Sequence, residues 1–335
     1  MKKAYVYASI AVCLWFALPS FAADVDFNAN AVAILRWYRG NHTTNSFPAG
    51  AAPTGLAFDG ANIWVVNEGN NNVTVLRANN GALVGTFSVG TRPQQIAFDG
   101  TYMWVTNNMD NTVTKLNAST GLPAAGSPLP VGAAPQGVAF DGANIWVVNS
   151  GSNNVTKLNA STGAQIGPPI PVGIGPLGVA FDGTNIWVTN FTGNSVTRLI
   201  ANNGTCVAAG LGAACNLLPA PCTCPAGNGP AYLAFDGANL WVPNESGNNV
   251  TKLSAANGLP ALGSPFAVGI TPIAAAFDGF NIWVTNYGAS SVTKLNAATG
   301  ALIGTFPTGA NPDGLAFDGA NMWVANGASS SVSKR

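Results

Sequence analysis

The stretch PTGLAFDGANIWVVNEGNNNVTVLRANNGALVGTFSVG, residues 53–90, decides the fold. It reads as four short strands divided by turns. Gly55 to Phe58 is the first; Asp59-Gly60 follows as a tight turn, because Asp and Gly tolerate the positive φ that hairpins require. Asn62 to Val66 is the second strand, Glu68 to Asn72 a polar loop, and Val73 to Leu76 the third strand. Asn79-Asn80-Gly81 turns the chain into a fourth, Leu83 to Val89. The second strand is apolar on both sides, with Ile63 and Val65 on one and Trp64 and Val66 on the other. A sheet with one wet face would alternate apolar and polar residues, so this sheet is expected to lie between two others.

The stretch recurs. Phe-Asp-Gly occurs seven times, with its Asp at 59, 99, 141, 182, 236, 278 and 318, spaced by 40, 42, 41, 54, 42 and 40 residues. A Trp stands five residues after each Asp and a Pro six before it, from Trp64 and Pro53 to Trp323 and Pro312. A period near 41 fits a propeller blade or a helical pair. The repeat is rich in Val, Ile, Thr, Trp and Phe, is punctuated by Gly, Asn and Pro, and shows no helical spacing over three turns, which selects strands. The expected fold is all-β, a seven-bladed β-propeller of four-stranded antiparallel blades over residues 31–335. Val32 to Gly50 repeats the pattern of Val73 to Gly90, so the N-terminal segment is expected to supply outer strands to the blade holding Phe317 and Trp323, closing the ring. Both Val32–Arg36 and Ser331–Lys334 read as the third strand of that blade.

Residues 1–22 read as a signal peptide. Lys2 and Lys3 precede an apolar run from Ala4 to Leu18, and Ser20-Phe21-Ala22 sets cleavage before Ala23. The run is short of the ~20 residues a membrane span needs, and no later segment is long and apolar enough for integral membrane insertion. Cys13 lacks the small preceding residue of a lipidated cysteine. Residues 23–30 form a mature N-terminal tail, and the protein is expected to be secreted, periplasmic or cell-surface, and a monomer.

Charged residues are only 8% of the 335, with 13 basic and 13 acidic, so no basic stripe exists to release phosphate counterions and nucleic acid is excluded as a partner. A hydrophobic content of 47% with no net charge excludes disorder. His42 is the single histidine, which removes most histidine-based catalysis.

Segments such as Ile282-Trp283-Val284-Thr285-Asn286, followed by Gly288 and Val292-Thr293-Lys294-Leu295, resemble the YVTN-type bacterial propeller repeats, with Trp where that family has Tyr. The wider group resembled includes streptogramin lyase-like and NHL-like propellers, and the likeness covers about residues 31–335. It implies a fold and not an activity, since many functions share the architecture. Streptogramin lyases imply a histidine-based site with a divalent metal, which has no counterpart here because His42 lies in the segment matched to outer strands.

Residues that recur in every blade read as architecture: the seven Trp as inter-blade core, the seven Asp as turn formers. Lys115, Lys157, Arg198, Lys252, Lys294 and Lys334 share one third-strand position and are expected to pair with those Asp. Subtracting these and the tail residues Asp24 and Asp26 leaves four acids, Glu68, Asp110, Glu245 and Asp313, all expected in loops between second and third strands or between blades. In propellers these loops share a face. Arg92, Gln94, Gln95, Gln136, Phe191, Tyr232 and Tyr287 fall in the same segments, and together they form the candidate ligand-binding face. Asp313, Glu68, Arg92 and Asp110 become neighbours when the ring closes, so Glu68, Asp110 and Asp313 are the candidate ligands for a divalent cation.

The 54-residue spacing hides an insert at about 203–228 that holds Cys206, Cys215, Cys222 and Cys224. An even count in an exported chain reads as disulfides. A Cys222–Cys224 bridge would close too small a ring, which leaves two pairings open. Paired C-x₂-C knuckles for zinc are missing. The functional expectation is an exported, non-enzymatic propeller that binds a protein, glycan or small-molecule partner on this face, with no cofactor. The alternative is a metal-dependent lyase or lactonase-like hydrolase with a carboxylate-built site.

Overall fold

A computed structural model describes residues 45–206 and 222–335 of the chain. They form seven four-stranded antiparallel sheets, each a meander from an inner to an outer strand. Blade 1 comprises Pro53–Phe58, Asn62–Asn67, Asn72–Arg77 and Leu83–Ser88, and blades 2 to 6 begin at Pro93, Pro135, Pro176, Pro230 and Pro272. Blade 7 takes Pro312–Phe317, Met322–Asn326 and Ser331–Lys334 from the C-terminal end, and Asn45–Pro48 pairs with Ser331–Lys334 as its outermost strand. The third-strand position is therefore filled by Ser331–Lys334, and the N-terminal segment supplies one described strand, not two. Val32–Arg36 lies outside the described residues.

The inner strands begin two residues earlier than the sequence suggests, at the proline. Pro53 pairs with Asn67 and Leu56 with Val65, so one extra residue is accommodated in a bulge after each proline. At the other end of the strand, Gly60 has φ +100°, and Asp59 Oδ1 accepts from the amides of Ala61 and Asn62.

The core lies between blades. Trp64 packs with Ile96, Met103 and Val105 of blade 2, and the pattern repeats around the ring until Trp323 packs with Leu56, Ile63 and Val65 of blade 1. Six of the seven tryptophans are at most 1% exposed and Trp283 is 8% exposed, as expected of inter-blade core. An indole N–H shut from water needs an acceptor. Each repeat supplies it: Trp Nε1 donates to Oδ2 of the turn Asp at 2.6–2.8 Å in all seven blades.

The repeated cations do something other than pair with those Asp. Lys115, Lys157, Lys252 and Lys334 lie over their own blade's Trp ring at 4.8–5.1 Å and donate to backbone carbonyls of the following blade, at Ala160, Ala201, Ala297 and Ala78. Arg198 Nη1 donates to Ala256. Among the described residues only Lys294 pairs with its Asp, Asp278, at 3.3 Å. Each turn carboxylate already accepts from a Trp and two turn amides, and the lysines reach past it to the carbonyls that follow the neighbouring third strand.

The insert lies between the third strand of blade 4, Ser195–Ile200, and its outer strand, Thr223–Pro225. Cys206 and Cys222 form a disulfide, so the connection is stapled where it leaves and rejoins the blade. Cys224 is also disulfide-bonded, and Cys215 lies outside the described residues. Among the described residues no helix is long and apolar enough to cross a membrane.

Candidate functional site

One face is built by the same device in every blade. The residue after the second strand donates its amide to the carbonyl just before the blade's leading proline: Glu68 to Ala52, Asn108 to Arg92, Phe191 to Gly175, Glu245 to Gly229 and Tyr287 to Thr271, at 2.8–3.0 Å. This places the second-to-third-strand turns and the inter-blade segments at the same end of the blades, as the sequence suggested. The Asp-Gly turns lie at the other end. A buried Asn fixes the arrangement: Asn107 Nδ2 donates to Thr112 and Thr114, while its Oδ1 accepts from Gly90 N at 3.0 Å. A Cβ at Gly90 would lie 2.5 Å from Asn107 Cγ, so that position needs glycine.

Four of the candidate residues, Gln94, Gln95, Gln136 and Asp313, are not in loops but follow the leading proline at the start of the inner strands, beside the central channel, and Tyr232 holds the equivalent position just before Ala234–Phe235, in a bridge to Ala274 of blade 6. The proline begins the strand, and this explains the difference from the sequence expectation for Asp313. The column at the third inner-strand residue reads Gly55, Gln95, Gly137, Gly178, Tyr232, Ala274 and Gly314. Small residues are needed because neighbouring inner strands approach closely, a Cβ at Gly55, Gly137 or Gly178 falling 2.6–2.8 Å from a backbone carbonyl of the next blade, and the two large exceptions meet each other. Tyr232, from blade 5, reaches across to blade 3, its Oη 3.3 Å from Gln136 Oε1, and also hydrogen-bonds Gln95 of blade 2. Tyr232 is thus a bar across the channel. A cavity of about 140 Å³ adjoins it, lined by Gln95, Val138, Val179, Leu233, Gly314 and neighbours.

Blade 5 is shaped to hold this bar. Where blades 2, 4 and 6 have Thr106, Thr189 and Thr285 in the second strand, blade 5 has Pro243. Those threonines donate to the next blade's inner-strand carbonyl, Thr285 to Asp313 O at 2.8 Å for example. Pro243 cannot, and the inner strand of blade 5 pairs instead with blade 6: Tyr232 N donates to Ile273 O, and Ala275 N to Tyr232 O.

Electrostatics single out Asp313. Burial, and then the charges of Glu68 and Glu245, push its carboxyl up to about 7. Its Oδ1 is shut from solvent and has no hydrogen-bond partner. Burial also raises Glu245. The Tyr232 hydroxyl is raised by burial and by Asp313, partly offset by its bond to Gln95. Glu68 is held by Arg92 at 2.6 Å, so the expected proximity of blades 1 and 2 holds for this pair. Asp110 accepts from Thr91 N at 2.6 Å, the role that Ser152 plays for Ala133 and Ser329 for Ala310. It is a repeated loop staple. Glu68, Asp110 and Asp313 do not gather as cation ligands: among the described residues no three His, Cys, Asp or Glu side chains are grouped as a metal site requires.

Tyr287 is exposed in the turn after the second strand of blade 6, and Phe191 is half-buried in that of blade 4. Sequence reasoning missed Met109, Ile174 and Ile270, which are 66%, 63% and 60% exposed on the same face. Their signal was available: each is a large apolar residue in a segment otherwise made of Gly, Asn, Ser and Thr.

No protein-family model matches the chain, and no curated protein matches it. Solved structures do. A Kuenenia stuttgartiensis hydrazine synthase chain aligns with TM-score 0.72 and 19% identity over 89% of this chain and 98% of that one. A streptogramin B lyase gives 0.69 and 18% over 87% and 96%. The virginiamycin B lyase of Staphylococcus aureus gives 0.68 and 17% over 87% and 98%. The fold is that of the streptogramin lyase-like seven-bladed propellers. Identities this low carry the architecture and no activity.

Proposed function

We propose that the chain is an exported, non-enzymatic propeller that binds a protein, glycan or small-molecule partner on the face where the channel opens. One observation carries the reading: Asp313, a carboxylate with an unpartnered, solvent-shut oxygen, stands on the face that also bears exposed Tyr287, Ile270, Ile174 and Met109. A polar centre with apolar surroundings is what binding sites use for orientation and for affinity. Glu68 is committed to Arg92 and Asp110 to Thr91, so neither is free to act with Asp313 in paired acid–base chemistry. Lys2-Lys3 with the apolar run after them, and the Cys206–Cys222 disulfide, support export.

A thermal-shift screen of glycans, peptides and small molecules tests the reading, run on the wild type, on Ile270→Glu/Tyr287→Ala, and on Phe280→Ala at the opposite end of the blades. The expected result is a ligand whose shift disappears in the first variant and persists in the second. Loss only in Phe280→Ala, or metal-dependent turnover of any ligand, overturns the proposal.

A further inference from the structure

Asp313 occupies an unusual position for a carboxylate. It is the residue after the leading proline, where Thr54, Gln94 and Gln136 stand in blades 1 to 3 and Leu177, Ala231 and Ile273 in blades 4 to 6. Its backbone carbonyl is taken by Thr285, and its Oδ1 has no partner although it is inaccessible to water. Leaving a buried acceptor unmade costs the desolvation of that group, and the cost is larger for a charged one. The surroundings make it worse. Glu68 and Glu245 add negative charge, and the Arg92 guanidinium on this face is spent on Glu68, with its own side chain 55% exposed. Three carboxylates thus bear on the mouth against one cation. The Tyr232 bar, with its hydroxyl beside Gln136 Oε1 and bonded to Gln95, puts further acceptors at the same level.

The missing component is a cation that also donates hydrogen bonds. A divalent metal needs several oxygen ligands gathered together, and among the described residues no three carboxylates are grouped in that way. An ammonium needs one carboxylate and a few neutral acceptors, because its three N–H bonds can be divided among them. We propose that the channel mouth is a binding site for a primary ammonium group, with Asp313 as counter-charge and the Gln136–Tyr232–Gln95 layer as the polar floor. This deepens the binding reading above and rests on it. A free alkylamine and a lysine side chain of a protein partner both present this head to Asp313.

Isothermal titration of the full mature protein tests this, with n-butylammonium and the blocked peptide acetyl-Gly-Lys-Gly-amide as probes and n-butanol and tetramethylammonium as controls. The expected result is saturable binding of one or both probes and none of the controls. Binding of both, or of butylammonium alone, points to free amines as ligands; binding of the peptide alone points to a protein lysine. Asp313→Asn should weaken the probe at least tenfold. In the wild type the affinity should fall as pH drops below 7, where Asp313 takes up its proton, and the variant should lack that dependence while Glu68 and Glu245 remain. Tyr232→Phe, which keeps the bar and removes its hydroxyl, should weaken binding by a smaller factor. Equal binding of tetramethylammonium, equal affinity in folded Asp313→Asn, or no binding of either probe overturns the proposal. If the probes fail while a screened ligand is still lost in Ile270→Glu/Tyr287→Ala, the ammonium assignment falls and the binding face stands.

Discussion

At the scale of single residues, four turn aspartates, Asp59, Asp141, Asp182 and Asp278, and the inner-strand Asp313 show opposite pH behaviour. Burial alone would raise these four turn carboxyls, but donors outweigh it. Trp146 Nε1, Asn144 and two amides hold Asp141 below the ordinary carboxylate range, and Asp59, Asp182 and Asp278 behave alike. A lowered folded value means stability that is present above the unfolded value and lost as pH falls through the folded one. Asp313 is the reverse. Its folded value near 7 lies above 3.8, so its contribution is full below 3.8 and is lost as pH rises through 7. Asp313→Asn keeps the shape of the protonated acid and cannot ionise. It should match the wild type in urea midpoint only below the unfolded value of 3.8, and exceed it increasingly from there to pH 8. The gap should be on the order of 2–4 kcal/mol, trimmed by solvent at the half-buried mouth. The turn aspartates cancel in this comparison because both proteins carry them. A gap that stays the same across that range would mean that Asp313 is not held against its charge. The sequence singled out Asp313 by subtraction, since it is one of four acids outside the repeat and its tail. It did not reveal the buried oxygen, because that depends on what Thr285, Tyr232 and Glu245 of other blades do in three dimensions.

At the scale of the element, each blade is organised by the asparagine that ends its second strand. Asn67, Asn107, Asn149, Asn190, Asn244, Asn286 and Asn326 are all fully buried. Asn107 holds the third strand through Thr112 and Thr114 and the blade's entry through Gly90. Truncating it strands two hydroxyls and an amide at once. Asn107→Ala should therefore cost about 2–3 kcal/mol, at the upper end for a lost buried hydrogen-bonding group, with an unchanged denaturant slope. Asn108→Ala, one residue along and part-exposed, should cost less than about 1 kcal/mol. Equal losses would show that the bonds of Asn107 exchange freely with water. The strands themselves were legible because runs of Val, Ile, Thr, Trp and Phe, and the turn residues between them, recur seven times. The partners of polar side chains were not. Asp–Lys pairing seemed natural from charge alone, yet indoles and turn amides reached the carboxylates first, and Lys115 turned to the carbonyl of Ala160.

At the scale of the molecule, a ring of blades has one seam, and everything cooperative about the fold passes through it. Repeat arrays are stabilised by nearest-neighbour interfaces, so an open ring exposes two of them. Here the seam is narrow. Asn45–Pro48 pairs with Ser331–Lys334, and Phe47 lies against Trp323 with ring centres 5.3 Å apart. Phe87, Phe266 and Phe306 cover the tryptophans of blades 1, 5 and 6 from their own outer strands in the same way. Closure was legible because Phe47 matched Phe87, whereas the competition between Val32–Arg36 and Ser331–Lys334 was not, since both satisfy one pattern. If the seam is where unfolding starts, locking it should slow unfolding more than any staple elsewhere. Ser46 stands opposite Ser333, between the hydrogen-bonded pair that Ala49 N makes with Ser330 O and the chain end. By alternation it is a non-hydrogen-bonded pair, where Cα atoms approach to ~4.5 Å and a disulfide fits. Oxidised Ser46→Cys/Ser333→Cys should unfold at least tenfold more slowly than the wild type in stopped denaturant jumps. The reduced variant should unfold somewhat faster than the wild type, because Ser333 then no longer accepts from Asn326. An oxidised protein that unfolds at the wild-type rate would place the first opening at another interface, and the irregular blade 5, whose inner strand keeps only Ala234–Phe235 in regular pairing, would be the next to test.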